Sequence, residues 1–275
     1  MKLFISVFNF LLKQLFYLIF KFNLFPFFSV ADDIYQQGWM LYLNEDFEEN
    51  FIENNWRTEL PWGTTDYKTK QCYTRENIEV KDKILNIIIK KKEKRARYYN
   101  YGIMHRPIMN YTSGLIMSKN FLNQKYGLFK IKCKLLNIDG IFSSFYLSDN
   151  NDVPKIDIFK WIGGKNKKLI IGNYWENNLL KHKKSVGYIK NIDFSKNYFI
   201  FSLEWNNKWL KWSINGIPIR VENKGVSNKN LYLVVNAYLK GVIDDSKLPA
   251  SIKIEWIRTY SKMNVNKIID YSTII

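Results

Sequence analysis

The chain has little of what redox, metal and nucleophile chemistry draws on. Among 275 residues there are two cysteines, Cys72 and Cys133, and two histidines, His105 and His182. A structural zinc wants four Cys or His ligands and a disulfide scaffold wants several pairs, so both are excluded; two buried thiols or one bridge remain. Neither histidine lies near a Ser or Cys in a recognisable nucleophile setting. The phosphate loop GxxxxGK[ST] and the dinucleotide fingerprint GxGxxG are missing, which leaves nucleotide chemistry unsupported. Acids are scarce beside bases, 25 Asp+Glu against 42 Lys+Arg, giving a formal charge of +17. Much of the excess is lysine in a background rich in Asn and Ile, a bias that base composition produces as readily as a charged ligand. Such a balance favours attraction to nucleic acid, acidic membrane or anionic polymer without specifying a fold.

Apolar material is plentiful: 47% of residues are hydrophobic and 17% aromatic, enough for one large domain with a full core. Residues 1–31 open with Lys2, continue in Leu, Phe and Ile to Phe28, and reach Ser29-Val30-Ala31 before Asp32. That is the order of a secretion signal. The apolar part is longer than the usual run of about 7 to 15 residues and holds Lys13 and Lys21, so an uncleaved membrane anchor over residues 3–28 competes. Asn9, Lys13, Tyr17 and Lys21 also fall on one helical stripe, which suits a helix lying in a bilayer interface. Export is expected, as a secreted protein or one anchored facing outside, with cleavage left open.

From Gly38 to Lys262 the pattern is of short strands, such as KILNIIIKKK, YGLFKIKCKLL, NYFIFSLEW, NLYLVVNAYL and SIKIEWIRTY. They are rich in β-branched and aromatic residues, several alternate at period two, and Asn, Asp, Gly and Lys turns separate them. In FKIKCKL, Ile131, Cys133 and Leu135 share one face and three lysines the other. Trp212 to Ile219 reads as a hairpin, because Asn215-Gly216 supplies the positive φ angles of a tight turn. KKKEKRAR, residues 90–97, reads as a charged loop or strand end, most simply a solvated turn. The expected architecture is all-β, two antiparallel sheets packed face to face over residues 32–262, with a hydrophobic helix before it and a tail at 263–275.

Several segments together resemble glycoside hydrolase family 16, the laminarinase, lichenase and agarase group. Gly38-Trp39-Met40-Leu41 with Asp46-Phe47, Asn55-Trp56-Arg57, Tyr111-Thr112-Ser113-Gly114, Tyr126-Gly127-Leu128-Phe129, Leu203-Glu204-Trp205, Ile214-Asn215-Gly216 and Leu248 to Tyr260 fall in the family's order. The resemblance implies a concanavalin A-like jelly-roll β-sandwich with a concave glycan cleft. It further implies that the motif E-x-D-x-x-E on one cleft strand carries the chemistry. Here its positions are Lys155, Asp157 and Lys160. Period-two alternation turns the first and third to the cleft, and a one-residue bulge re-aims the sixth.

Retaining glycosidases need two carboxyl groups about 5 to 5.5 Å apart, one to attack and one to shuttle a proton. An ammonium group, with an ordinary pKa near about 10.4, does neither at neutral pH. Asp157 between two lysines reads as an ion-paired structural carboxylate, with a lone surviving acid as the alternative. Asp152 and Glu176 are nearby acids that no spacing recommends. The family's G-x-W-P-A-F-W segment reads Gly140 to Tyr146, with Phe142 and Tyr146 at the tryptophan positions. The basic residue often found after YTSG is Leu115, and the histidines expected after the acid motif and before LEW fall on Tyr174 and Phe199. Phe142, Tyr146, Tyr174 and Trp161 are the candidates to stack on sugar rings beside Lys155, Asp157 and Lys160; sheet packing is the alternative for the aromatics.

Lys165 to Lys168 and Lys181 to Lys184 add positive charge where loops flank a cleft strand, so a polysaccharide is the expected ligand, with an anionic one as the option these lysines suit. Nucleic acid is not expected, since the lysine clusters do not interleave with aromatics. No cofactor is expected beyond the structural calcium that the resemblance implies as an option, without assigned ligands. Three functions follow: a carbohydrate-binding pseudoenzyme, an active retaining hydrolase using displaced groups, or a surface protein with a vestigial cleft.

Overall fold

Alternation along the chain builds the sandwich. In the strand Gly127–Lys134 the side chains of Phe129, Ile131 and Cys133 are fully buried while those between them stay half-buried. The computed structural model describes residues 2–22, 38–48, 56–149, 151, 153–177 and 179–262. The predicted cleavage site at 29–31 and the tail at 263–275 lie outside the described residues.

One sheet has the order β16 (Ile217–Glu222), β15 (Leu210–Ile214), β14 (Phe199–Trp205), β9 (Gly127–Lys134), β18 (Ala250–Lys262), β4 (Ile84–Arg95), β7 (Ile108–Ser113), β2 (Gln71–Tyr73). To it β1 (Trp39–Glu45) adds on β18 and β3 (Ile78–Lys81) adds on β4. The second sheet runs β13 (His182–Lys190), β12 (Lys168–Glu176), β11 (Lys155–Ile162), β10 (Ile141–Ser148), β17 (Tyr232–Leu239), β8 (Leu115–Met117). A separate ribbon pairs β5 (Tyr98–Asn100) with β6 (Ile103–His105). The pairings are antiparallel apart from β2 with β7. Aromatic residues fill the space between the sheets: Phe159 meets Phe201 with ring centroids 4.6 Å apart, and Phe194 stands edge-on to Trp161 at 5.4 Å.

The hairpin forms as expected, Asn215 at φ 48° and Gly216 at φ 80° joining β15 to β16. The segment 90–97 does not form a turn. Lys90 to Arg95 are instead the end of β4, paired with β7 from Lys90 opposite Thr112 to Arg95 opposite Ile108 with a register shift between Lys91 and Lys94. The lysines are tolerated in a strand because acids remote in sequence meet them: Asp245 lies 2.7 Å from Lys91, and Glu76 lies 3.2 and 3.1 Å from Lys92 and Lys94. Both cysteines are buried free thiols, pushed up in pKa by that burial and therefore uncharged at neutral pH.

The helix α1 (Lys2–Lys21) packs across the edge of the sandwich, burying Phe16 and Ile19 in the common core. Phe20 stacks on Phe199 with centroids 6.4 Å apart. A hydrophobic helix before the sandwich is as the sequence predicts; its seat on the domain is a finding of the structure.

Candidate functional site

β11 carries the three motif residues on one face of the second sheet. Lys155 and Asp157 alternate at period two, and then the ladder slips against β12 between Asp157 and Lys160. A matching slip against β10 occurs between Phe145 and Tyr146. The extra residue lets both Ile158 and Phe159 turn into the core, so that Lys160 returns to the face of Asp157. Trp161 is the next residue and must point the other way. It is fully buried between the sheets, its indole N–H donating to the Leu136 carbonyl at 2.5 Å. The expectation that Trp161 contacts a ligand is thus corrected: the parity restored by the bulge puts it in the core.

Strand register lays the site out as rows. Lys155 sits between Ser148 and Tyr174, with Tyr232 and Lys184 beyond them. Asp157 sits between Tyr146 and Gly172, with Val234 and Val186 beyond. Lys160 sits between Ser144 and Ile170, with Asn236 and Tyr188 beyond. The fourth row is Tyr238, Phe142, Ile162, Lys168 and Lys190. Asp157 is the one carboxylate in these four rows.

That carboxylate has no exposed surface, whereas the two lysine side chains keep about a quarter of theirs: Lys155 Nζ lies 3.0 Å from Oδ1 and Lys160 Nζ 3.4 Å from Oδ2. Burial alone would raise its pKa. The charges of Lys155 and Lys160, with the Tyr174 hydroxyl beside them, outweigh that and hold the carboxyl below the usual range. From the core side Trp212 donates its indole N–H to the Asp157 carbonyl at 3.0 Å. Lys155 also lies over two rings, 4.2 Å from the centroid of Tyr146 and 5.9 Å from that of Tyr174. Tyr174 can reach Asp157 because its ring folds across Gly172, where an added Cβ would stand 3.2 Å from it. Burial, and then the neighbouring Asp157, raise the Tyr174 phenol above its ordinary value. It is a hydrogen-bond donor at any physiological pH.

The other predicted residues divide. Phe142 lies in the site, stacked on Tyr238 with centroids 4.8 Å apart and planes 17° apart. Of the basic clusters, Lys168 and Lys184 reach the rows, while Lys167 is 3.9 Å from Asp193 and Lys165 is held by its backbone to Asp139. Glu176 faces His182 at 3.4 Å, away from Asp157's row, and Asp152 lies outside the described residues. Leu115 is fully buried on β8.

Sequence reasoning read NLYLVVNAYL as a strand, now β17, but did not place it in the site. Tyr232, Asn236 and Tyr238 belong to the rows, and Asn236 accepts from the Ser144 hydroxyl and donates to the Tyr73 hydroxyl at 2.8 Å. The alternation in YLVVNAYL was the available signal. At one end a pocket of about 160 Å³ opens between Trp62, Tyr146, Lys155 and Tyr232, with Asp66 on its wall. No three His, Cys, Asp or Glu side chains gather among the described residues, and no calcium ligand set is assigned.

The arrangement can present ring faces, hydroxyl and amide groups, and two cations to an extended polar ligand. Comparison with known proteins agrees with its shape. The family model for glycosyl hydrolases family 16 matches residues 65–258. A xylanase/beta-glucanase of Ruminococcus flavefaciens is 27% identical over 165 residues, 56% of this chain and 20% of its own length. The clotting factor G alpha subunit of Tachypleus tridentatus is 23% identical over 252 residues, 82% of this chain and 34% of its own. The chain therefore spans between a fifth and about a third of the length of these curated relatives. In fold it is similar to the laminarinase catalytic domain of Thermotoga maritima MSB8, with a TM-score of 0.66 at 23% identity, covering 82% of this chain and 99% of that one. The jelly-roll sandwich and a family match over most of the strands converge: this chain belongs to glycosyl hydrolases family 16.

Proposed function

We propose that the protein is an exported carbohydrate-binding member of the family that holds a polysaccharide across the concave sheet without cleaving it. The observation that carries this reading is the state of the floor: one carboxylate in four rows, buried and already shared by Lys155 and Lys160. In this reading the two lysines stand where hydrolases of the family carry their attacking and proton-shuttling carboxyl groups. Retaining hydrolysis needs those two groups about 5 to 5.5 Å apart and passes through a developing cation. An ammonium 4 Å from that cation disfavours it by about 4 kcal/mol at an effective dielectric of about 20. Asp157 cannot replace the pair, since it lies beneath the lysine tips and is held ionised. The rings of Tyr146, Tyr174 and Phe142 supply faces for sugar, and Lys168, Lys184 and Lys190 along the rows favour an anionic chain. One of the relatives above is itself named for clotting and not for hydrolysis.

A glycan array and titration calorimetry test the binding half. Retention of anionic polysaccharide is expected, weakening several-fold between low and physiological salt as surface charges are screened. Equal binding of neutral β-glucan at all salt concentrations would remove the charge part. Reducing-end assays on laminarin, mixed-linkage glucan, agarose and carrageenan test the other half. No product is expected from the natural chain, and turnover above background would restore the hydrolase reading.

A further inference from the structure

The stripe Asn9, Tyr17 that looks from sequence like the wet face of an interfacial helix is turned inward. The Asn9 side chain donates to the Val221 carbonyl at 2.8 Å and accepts from the Val221 N–H at 2.7 Å, taking the place of a neighbouring strand on β16. The Tyr17 hydroxyl donates to the Lys190 carbonyl at 3.1 Å and accepts from the Lys190 N–H at 3.0 Å, doing the same for β13. β16 and β13 are the edge strands at the same end of the two sheets. Eight residues of helix rise about 12 Å, close to the roughly 10 Å between packed sheets, so one helix reaches both edges. Unpaired edges are the usual liability of a sandwich, and this helix closes two of them.

With Asn9, Phe16 and Phe20 facing the domain, the opposite side of α1 is left outside. Val7, Leu11, Leu15, Leu18 and Phe22 recur at helical spacing along it with Phe10 beside them, and each is between 49% and 60% exposed. A face of this size on a soluble surface marks an interaction site. Its surroundings indicate the partner: the chain carries a formal charge of +17, and at the end of this face the Lys21 ammonium lies 5.6 Å over the ring of Phe22. Among the described residues no helix is long and apolar enough to cross a membrane. We propose that α1 stays attached to the domain and seats its outer apolar face in the surface of an anionic lipid bilayer, as an interfacial anchor locked to the sandwich by Asn9 and Tyr17. Anionic headgroups complement that positive charge, whereas a second copy of this chain would bring as much again.

The test uses the full chain with vesicles of phosphatidylcholine alone or with 30% phosphatidylserine. Sedimentation should carry the protein down with the anionic vesicles at least tenfold more strongly than with the neutral ones. The double variant Leu11→Glu/Leu15→Glu, both on the exposed side, should lose that binding at least tenfold while keeping the wild-type melting temperature and glycan binding. Intact mass of protein from its producing cells should include residues 2–21. Wild-type binding by the Glu variant, concentration-dependent dimerisation in place of vesicle binding, or a mature chain lacking the helix would each overturn the proposal. None of these outcomes bears on whether the cleft binds glycan.

Discussion

Asp157→Asn should destabilise the protein by about 3 kcal/mol, read from urea or thermal unfolding. Breaking a buried ion pair by removing one partner typically costs about 3 to 5 kcal/mol, since the remaining charge is left uncompensated. The lower end applies because Lys155 and Lys160 keep 25% and 22% of their side-chain surface exposed and can find water. Removing all three charges together is a different experiment. Lys155→Met, Asp157→Leu and Lys160→Met in one chain should be neutral or stabilising, since desolvation of the triad then vanishes along with its attraction. The pH dependence follows from the direction of the Asp157 shift. Its folded pKa lies below the unfolded value, so its contribution is complete above the ordinary carboxylate pKa of about 3.9 and fades as pH falls through the folded one. The wild type should therefore lose stability below about pH 4 more steeply than the uncharged triple variant. Parallel acid profiles for the two would show that Asp157 does not couple to folding.

Trp161→Ala should cost about 3 to 5 kcal/mol of stability through the cavity it leaves against Phe194 and Leu136, and leave the glycan affinity of the folded fraction unchanged. Tyr146→Ala should do the reverse in emphasis, weakening glycan binding about tenfold because its ring faces the site beside Lys155. Measuring the melting temperature and Kd for both variants, at a temperature where each is folded, separates core from cleft. A Trp161 variant that is stable but deaf to glycan would reverse the assignment made here.

The contrast between those two aromatics shows where sequence is informative and where it stops. The period-two run of β9 and the Asn215-Gly216 turn are local, and local rules place them correctly. The bulge after Asp157 was also legible from motif spacing, and parity alone, followed one residue further, would have sent Trp161 inward. The partners across the floor are another matter. Which strand lies beside β10 depends on sheet order, so Asn236 and Tyr238 could be found only once β17 was seen next to it. For the same reason the lysines of β4 read more simply as a turn than as the strand end they form: Asp245 and Glu76, which meet them, lie outside the local window, Glu76 by 16 and 18 residues from Lys92 and Lys94. Likewise, Asn9 and Tyr17 form a polar stripe in any helix, and only the edge strands at Val221 and Lys190 reveal what that stripe is for.

The seat of α1 has a temporal side. Its two docking points lie 212 and 173 residues downstream of Asn9 and Tyr17. At a synthesis rate of about 5 to 20 residues per second, roughly 10 to 40 seconds pass between emergence of the helix and completion of the strands that receive it. Throughout that interval the apolar segment lacks the edge strands that later hold it. Its seat on the sandwich exists only once β13 and β16 have both been made.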